Sequence, residues 1–171
     1  MTAPPPFAGR TVVLLSRFDE AHAAHAALKR RALERLGCAV AVVDYTPKGF
    51  LARIRPSDIG DRLGQALRDH HPDLVLALGP DLPGPSVVSA VRAIHDCPWA
   101  LWWPSDAGVA PTPVDIQSVQ RVWVTSTDLV ERIPGVRYLP HGCDPSVHRA
   151  LRSQVEYRAN VVFVGDATPH R

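Results

Sequence analysis

Net charge is nearly absent from this chain. Its 171 residues set 19 Lys and Arg against 17 Asp and Glu, a formal balance of +2, which gives no electrostatic ground for a nucleic-acid partner. Cysteine is scarce. Cys38, Cys97 and Cys143 are odd in number and far apart, which excludes a disulfide framework and a metal-ligand spacing. A reducing cytoplasm is the expected compartment. Long apolar runs are missing as well: none approaches the roughly 20 residues that span a bilayer, although peripheral membrane contact stays open. Met1 to Pro6 is proline-rich and lacks the basic-then-apolar order of a signal peptide. Heptads, low-complexity tracts and internal repeats are lacking too.

What is present is enough for a core. Hydrophobic residues make up 46% and charged residues 21%, a balance that supports a folded domain. Short β-rich apolar runs recur: Thr11–Leu15, Ala39–Val43, Leu74–Leu78, Trp99–Trp103, Val122–Val124 and Val136–Leu139. Between them lie helical patterns. Ala21, Ala24, Leu28, Ala32 and Leu36 form a stripe that Gly37 ends. Ile59, Leu63, Ala66 and Leu67 form a second, after a cap at Ser57 or Asp58. Val87, Val88, Val91 and Ile94 follow Pro85, which suits a first helical position. A short helix is expected after Val114 and another from Thr127 to Ile133. Alternation of this kind predicts an α/β fold, a Rossmann-like parallel sheet of about six strands with helices on both faces.

In such a sheet ligands bind beyond the carboxyl ends of the strands. Those ends read Ser16-Arg17-Phe18-Asp19, Tyr45-Thr46, Gly79-Pro80-Asp81, Pro104-Ser105-Asp106, Thr125-Ser126 and Pro140-His141-Gly142. Turn and cap chemistry alone would produce many of these residues. Asp106 stands out because it follows Trp99, Trp102 and Trp103. Aromatic rings stack on sugar faces, and a carboxylate can serve as a base; Asp106 can equally cap a helix. Ser16, Arg17, Trp103, Ser105, His141 and Gly142 are candidate substrate contacts. His22, at the edge of the first helical stripe, could face the cleft as a catalytic group, whereas His25, on the stripe, is expected to pack. Their spacing could hold a metal, but no third ligand is evident, so no metal site is expected. Lys29-Arg30-Arg31 reads as a solvated helix face. Gly142 is expected to allow a backbone conformation that other residues resist.

The end of the chain carries a more specific signal. Leu139-Pro140-His141-Gly142-Cys143-Asp144-Pro145, with His148 after it, precedes Tyr157-Arg158, then Val161-Val162-Phe163-Val164-Gly165 and Pro169-His170-Arg171. These roughly 35 residues resemble the inter-domain crossover of GT-B glycosyltransferases, in the variant found in CgeB-like (spore maturation protein) glycosyltransferases. The resemblance implies an acceptor-side domain over residues 1–150, then a linker and the first strand of a nucleotide-sugar domain over 151–171, with the rest of that domain missing. It implies transfer of a sugar from a nucleotide-sugar to a sugar or glycan acceptor, without an obligatory metal or other cofactor, and a chain inactive on its own. It places the aromatic strand and Asp106 in the acceptor half of the cleft. Gly165, Asp166, Thr168 and Arg171 would meet the donor, the loop through its backbone amides and Arg171 through its charge. His141 stands where the commoner pattern has Asn.

The competing expectation is a flavodoxin-like or receiver-like module without chemistry. Against it, the first strand ends in Ser16-Arg17 rather than clustered acids, and Thr125-Ser126 occupies the region where a receiver has Lys. Arg17-Phe18-Asp19 is also a poor phosphate loop for a flavin.

Overall fold

Six apolar runs become six strands, and a helix follows each of the first five. The computed structural model describes residues 4–17, 23–46, 58–79, 83–104 and 110–144. The order is β1 (Thr11–Ser16), α1 (Ala23–Arg35), β2 (Ala39–Asp44), α2 (Asp58–His70), β3 (Leu74–Leu78), α3 (Pro85–Arg92), β4 (Trp99–Trp103), α4 (Pro113–Ser118), β5 (Arg121–Val124), α5 (Thr127–Arg132) and β6 (Val136–Tyr138). The strands form one parallel sheet in the order β2-β1-β3-β4-β5-β6. This is the doubly wound, Rossmann-like α/β architecture expected, and its winding reverses between β1 and β3.

Helices cover the two faces unequally. From β2 onward every crossover runs the same way along the sheet, so right-handed connections put α2 to α5 on one side and α1 on the other. The core confirms it. Val13, Leu15, Val75, Ala77, Trp99, Leu101, Trp103, Val122 and Val124 point to the α2–α5 side and join Leu63, Leu67, Val88 and Val91 in one buried cluster. On the opposite side Leu14 pairs with Leu76, Leu78 with Trp102, and Trp102 with Trp123. There α1 buries only Ala26 completely.

The rotation of α1 differs from expectation. Ala24, Ala32 and His25 are exposed and Leu36 is largely so, while Ala26 is buried and Leu28 and Lys29 are half-buried. A stripe made mostly of alanine offers little apolar area. Longer side chains set the rotation instead: Lys29 lies over Trp102 and Arg35 pairs with Asp144. Gly37 does end the helix, at φ +94°, a left-handed turn that favours glycine; a Cβ there would meet the Pro5 Cβ at 2.8 Å. In α2 and α3 the predicted stripes hold, with Leu63, Leu67, Val88 and Val91 buried, although Ile94 is exposed. The start of α4 carries a reciprocal cap, in which Thr112 accepts from the Asp115 amide and the Asp115 carboxylate accepts from the Thr112 amide.

At the amino ends of the strands one carboxylate ties β1 to β3. Asp73 accepts from the Thr11 amide at 2.8 Å and from Arg10 Nη1 at 2.7 Å. The Thr11 amide first, and then Arg10, hold its carboxyl below the usual range. Among the described residues no helix is long and apolar enough to cross a membrane. The expected final strand at Val161–Val164 and the domain boundary near residue 150 lie outside the described residues.

Candidate functional site

The reversal between β1 and β3 leaves a gap where two neighbouring strands send their following loops in opposite directions. A recess occupies that gap. Its walls are Ser16 at the end of β1 and Arg17 just after it, Tyr45 after β2, Leu78 and Gly79 at the end of β3, and Trp102 and Pro104 at β4. His25 and Lys29 enter from α1, and His141 enters from the segment after β6. The recess is open at its mouth, and its space with the adjoining solvent included comes to about 480 Å³.

Each wall has a local cause. Tyr45 reaches across from β2, its hydroxyl donating to the Leu78 carbonyl at 2.9 Å. Gly79 turns the chain at φ +94°, with the Tyr45 hydroxyl 3.7 Å from where a Cβ would stand. Ser16 is only 4% exposed, and its hydroxyl donates to the Arg17 carbonyl at 3.2 Å. His25 and Lys29 are four residues apart on α1, so they share a helix face.

Trp102 is the centre of this arrangement. The Lys29 ammonium lies 4.1 Å from its ring centroid, a cation–π contact. Its indole N–H donates to the Leu139 carbonyl at 3.2 Å. His141 tilts beside it with centroids 5.8 Å apart, and meets His25 edge-on at 5.5 Å. Further along, Arg35 Nη1 is 2.8 Å from Asp144 Oδ1, and the Asp144 side chain is 7% exposed. Residues 139–144 are thereby folded back against α1 and β4. A second recess between them is lined by Leu28, Ala32, Arg35, Gly142, Cys143 and Asp144, and shares Lys29 and Trp102 with the first.

Among the described residues lining the first recess, Arg17 and Lys29 are cationic, His25 and His141 bring imidazoles, and none is acidic. Its aromatic and aliphatic parts come from Tyr45, Leu78, Trp102 and Pro104. Such a site can hold a ligand that combines an apolar or sugar face with acceptor groups. No group of three or more His, Cys, Asp or Glu among the described residues is placed to hold a metal ion.

Of the predicted contacts, Ser16, Arg17 and His141 come together here. Trp103 does not: it is 2% exposed in the core beneath α2–α5. Alternation along a strand sends neighbours to opposite faces, and Trp102 is the tryptophan that faces the recess. Gly142 lines the second recess instead of the first, and its backbone lies outside the left-handed region, with nothing within 4 Å of a Cβ placed there. The expected conformational need for glycine at that position is therefore absent. His25, expected to pack, is exposed and lines the recess. Lys29, read as a solvated charge, sits over an aromatic ring; its spacing from His25 was the available signal. His22, Ser105, Asp106, Gly165, Asp166, Thr168 and Arg171 lie outside the described residues.

No family model matches this chain, and no curated protein sequence matches it. Solved structures similar to it include a 1,3-propanediol oxidoreductase, at 16% identity over 55% of this chain and 28% of that one, with a TM-score of 0.38. Another is an archaeal halo-thermophilic alcohol dehydrogenase from a Red Sea brine pool, at 14% identity over 75% of this chain and 41% of that one, with a TM-score of 0.43. The chain thus spans less than half the length of either.

Proposed function

We propose that this chain forms the acceptor-side half of a GT-B type glycosyltransferase cleft, which moves a sugar from a nucleotide-sugar to a sugar or glycan acceptor. The observation that carries the reading is the way residues 139–144 fold back to wall the recess at the β1/β3 gap. The segment that resembles an inter-domain crossover is the one that brings His141 to Trp102 and His25. A crossover that walls a cleft has reason to sit there; a plain edge-strand exit has none. Trp102 offers an aromatic surface for a sugar, and Lys29 and Arg17 offer donors to its oxygens.

In this reading Asp106 or His22 supplies the base, and Gly165, Asp166, Thr168 and Arg171 contact the donor. The leaving diphosphate is stabilised by helix N-termini and basic side chains, with no obligatory metal. A binding module without chemistry is the second reading, and one observation favours it: the described polar groups of the recess include no base hydrogen-bonded to a nucleophile.

The test is a turnover assay with a panel of nucleotide-sugars and simple acceptors. It uses the 171-residue chain beside a version extended by whatever its gene encodes after Arg171. Release of nucleoside diphosphate by the extended protein, abolished by Asp106→Asn or Trp102→Ala, is the expected result, with none from the 171-residue chain. Absence of turnover from the extended protein across the panel, with acceptor sugars still bound, would favour the module.

A further inference from the structure

We propose that His71 and His95 together hold one divalent transition-metal ion, of the nickel or zinc kind, at the end of the sheet opposite the recess. This site is independent of the transferase reading.

The fold brings the two residues together. β3 and β4 are neighbours, and the turns that lead into them follow α2 and α3. His71 lies in the first turn and His95 in the second. Their rings meet edge-on, with centroids 5.5 Å apart and planes at 75°. Two imidazoles bound to one tetrahedral ion at about 2.0–2.1 Å have centroids roughly 5 Å apart, so the backbone already holds this pair close to chelating distance. His95 is prepared as a ligand. Its Nε2 stands 2.9 Å from the Pro72 carbonyl. A carbonyl only accepts, so Nε2 carries the proton and Nδ1 keeps a lone pair. A backbone carbonyl is a usual outer partner of a metal-bound imidazole. His71 supplies the second nitrogen. It takes φ +41°, and among the described residues it is the one non-glycine in the left-handed region. Glycine would make that turn without strain, yet an imidazole occupies it. The edge-on contact requires one ring to turn before both lone pairs face one point. His71 is exposed and His95 half-buried, and the outer torsion of a histidine is soft, so His71 turns while His95 stays on Pro72. Nearby side chains are engaged elsewhere. Asp73 holds Arg10 and the Thr11 amide, Asp96 lies 4.0 Å from Arg92, and Cys97 packs in the core. Two imidazole nitrogens, with water in the remaining positions, make the ligand set. Imidazole suits nickel and zinc; magnesium prefers oxygen. His25 and His141 stand equally close to each other, so the experiment separates the two pairs.

It is calorimetric titration of the untagged 171-residue chain with nickel(II), zinc(II) and magnesium(II), beside thermal melts with and without zinc. One nickel or zinc ion per chain should bind in the tightest step, and magnesium should not bind. Zinc should raise the melting temperature, because the fold is what brings His71 and His95 to one ion. His71→Gly suits the left-handed turn, and His95→Gln keeps a donor for the Pro72 carbonyl, so circular dichroism should be unchanged in both. Each variant should weaken the tightest step at least about tenfold, the least that disturbing a metal site typically costs, and abolish the rise in melting temperature. His25→Ala should leave that step unaltered. Retention of the tightest step in either His71→Gly or His95→Gln overturns the proposal. Its loss in His25→Ala also overturns it, by putting the ion at the recess, and so does the absence of any nickel or zinc binding.

Discussion

Trp102 and Trp103 are adjacent in the chain and have opposite duties. Trp103 is 2% exposed in the main cluster, so Trp103→Ala should cost about 3–5 kcal/mol of stability, the usual range for truncating a buried aromatic. Trp102 is half-buried and works at the recess. Trp102→Ala should cost clearly less stability while removing the sugar binding proposed above. Chemical denaturation and calorimetry on the two variants separate these outcomes, and a larger stability loss at Trp102 would reverse the assignment. Asp73 makes a prediction in pH. Its folded carboxyl is held low by the Thr11 amide and Arg10, so its contribution is present above the unfolded value of about 3.9 and is lost as pH falls through the lower folded value. Asp73→Asn should flatten that acid limb, in thermal melts between neutral pH and the acid region, and leave the alkaline side unchanged.

At the scale of elements, two features of α1 carry most of the site. Its end depends on Gly37, where φ is +94° and a Cβ would crowd Pro5 and Ala8. Gly37→Ala should therefore destabilise by about 1 kcal/mol or more, measurable in urea. Its last turn holds Arg35 against Asp144. That pair lies between an exposed and a buried ion pair, so Arg35→Ala should cost about 1 kcal/mol. The informative readout is chemical. Cys143 is exposed while Cys38 and Cys97 are buried, and burial pushes the Cys97 thiol up. A thiol reagent should label one site quickly in the native protein, and Arg35→Ala should speed that labelling as residues 139–144 loosen. Unchanged labelling would show that Arg35 does not restrain the segment. The strands were legible because apolar runs bounded by Gly, Pro and Asp leave few alternatives. The rotation of α1 was not, because alanine contributes too little area for a stripe to decide which face turns inward.

For the whole molecule, the position of the site could be read and much of its membership could not. Strand ends pointed to Ser16, Arg17 and His141, and the winding of the sheet then put all three at one gap. His25 and Lys29 escaped because a charge or an imidazole on a helix reads as solvent-facing until its neighbour across the sheet is known. Trp103 was chosen over Trp102 because a run of tryptophans hides the alternation that strand geometry imposes. The unequal cover of the sheet was also invisible from composition. It follows from strand order alone, which places four helices on one side and α1 on the other.

One contact has a bearing on how the protein is made. Arg35 and Asp144 are 109 positions apart, and His25 waits still longer for His141. A ribosome delivers the early helix long before the turn that completes the cavity exists. A nascent chain that has emerged through Tyr138 but not yet through Asp144 holds all six strands, yet its pocket is unfinished. The wall that His141 supplies is thus added only after all six strands have been synthesised.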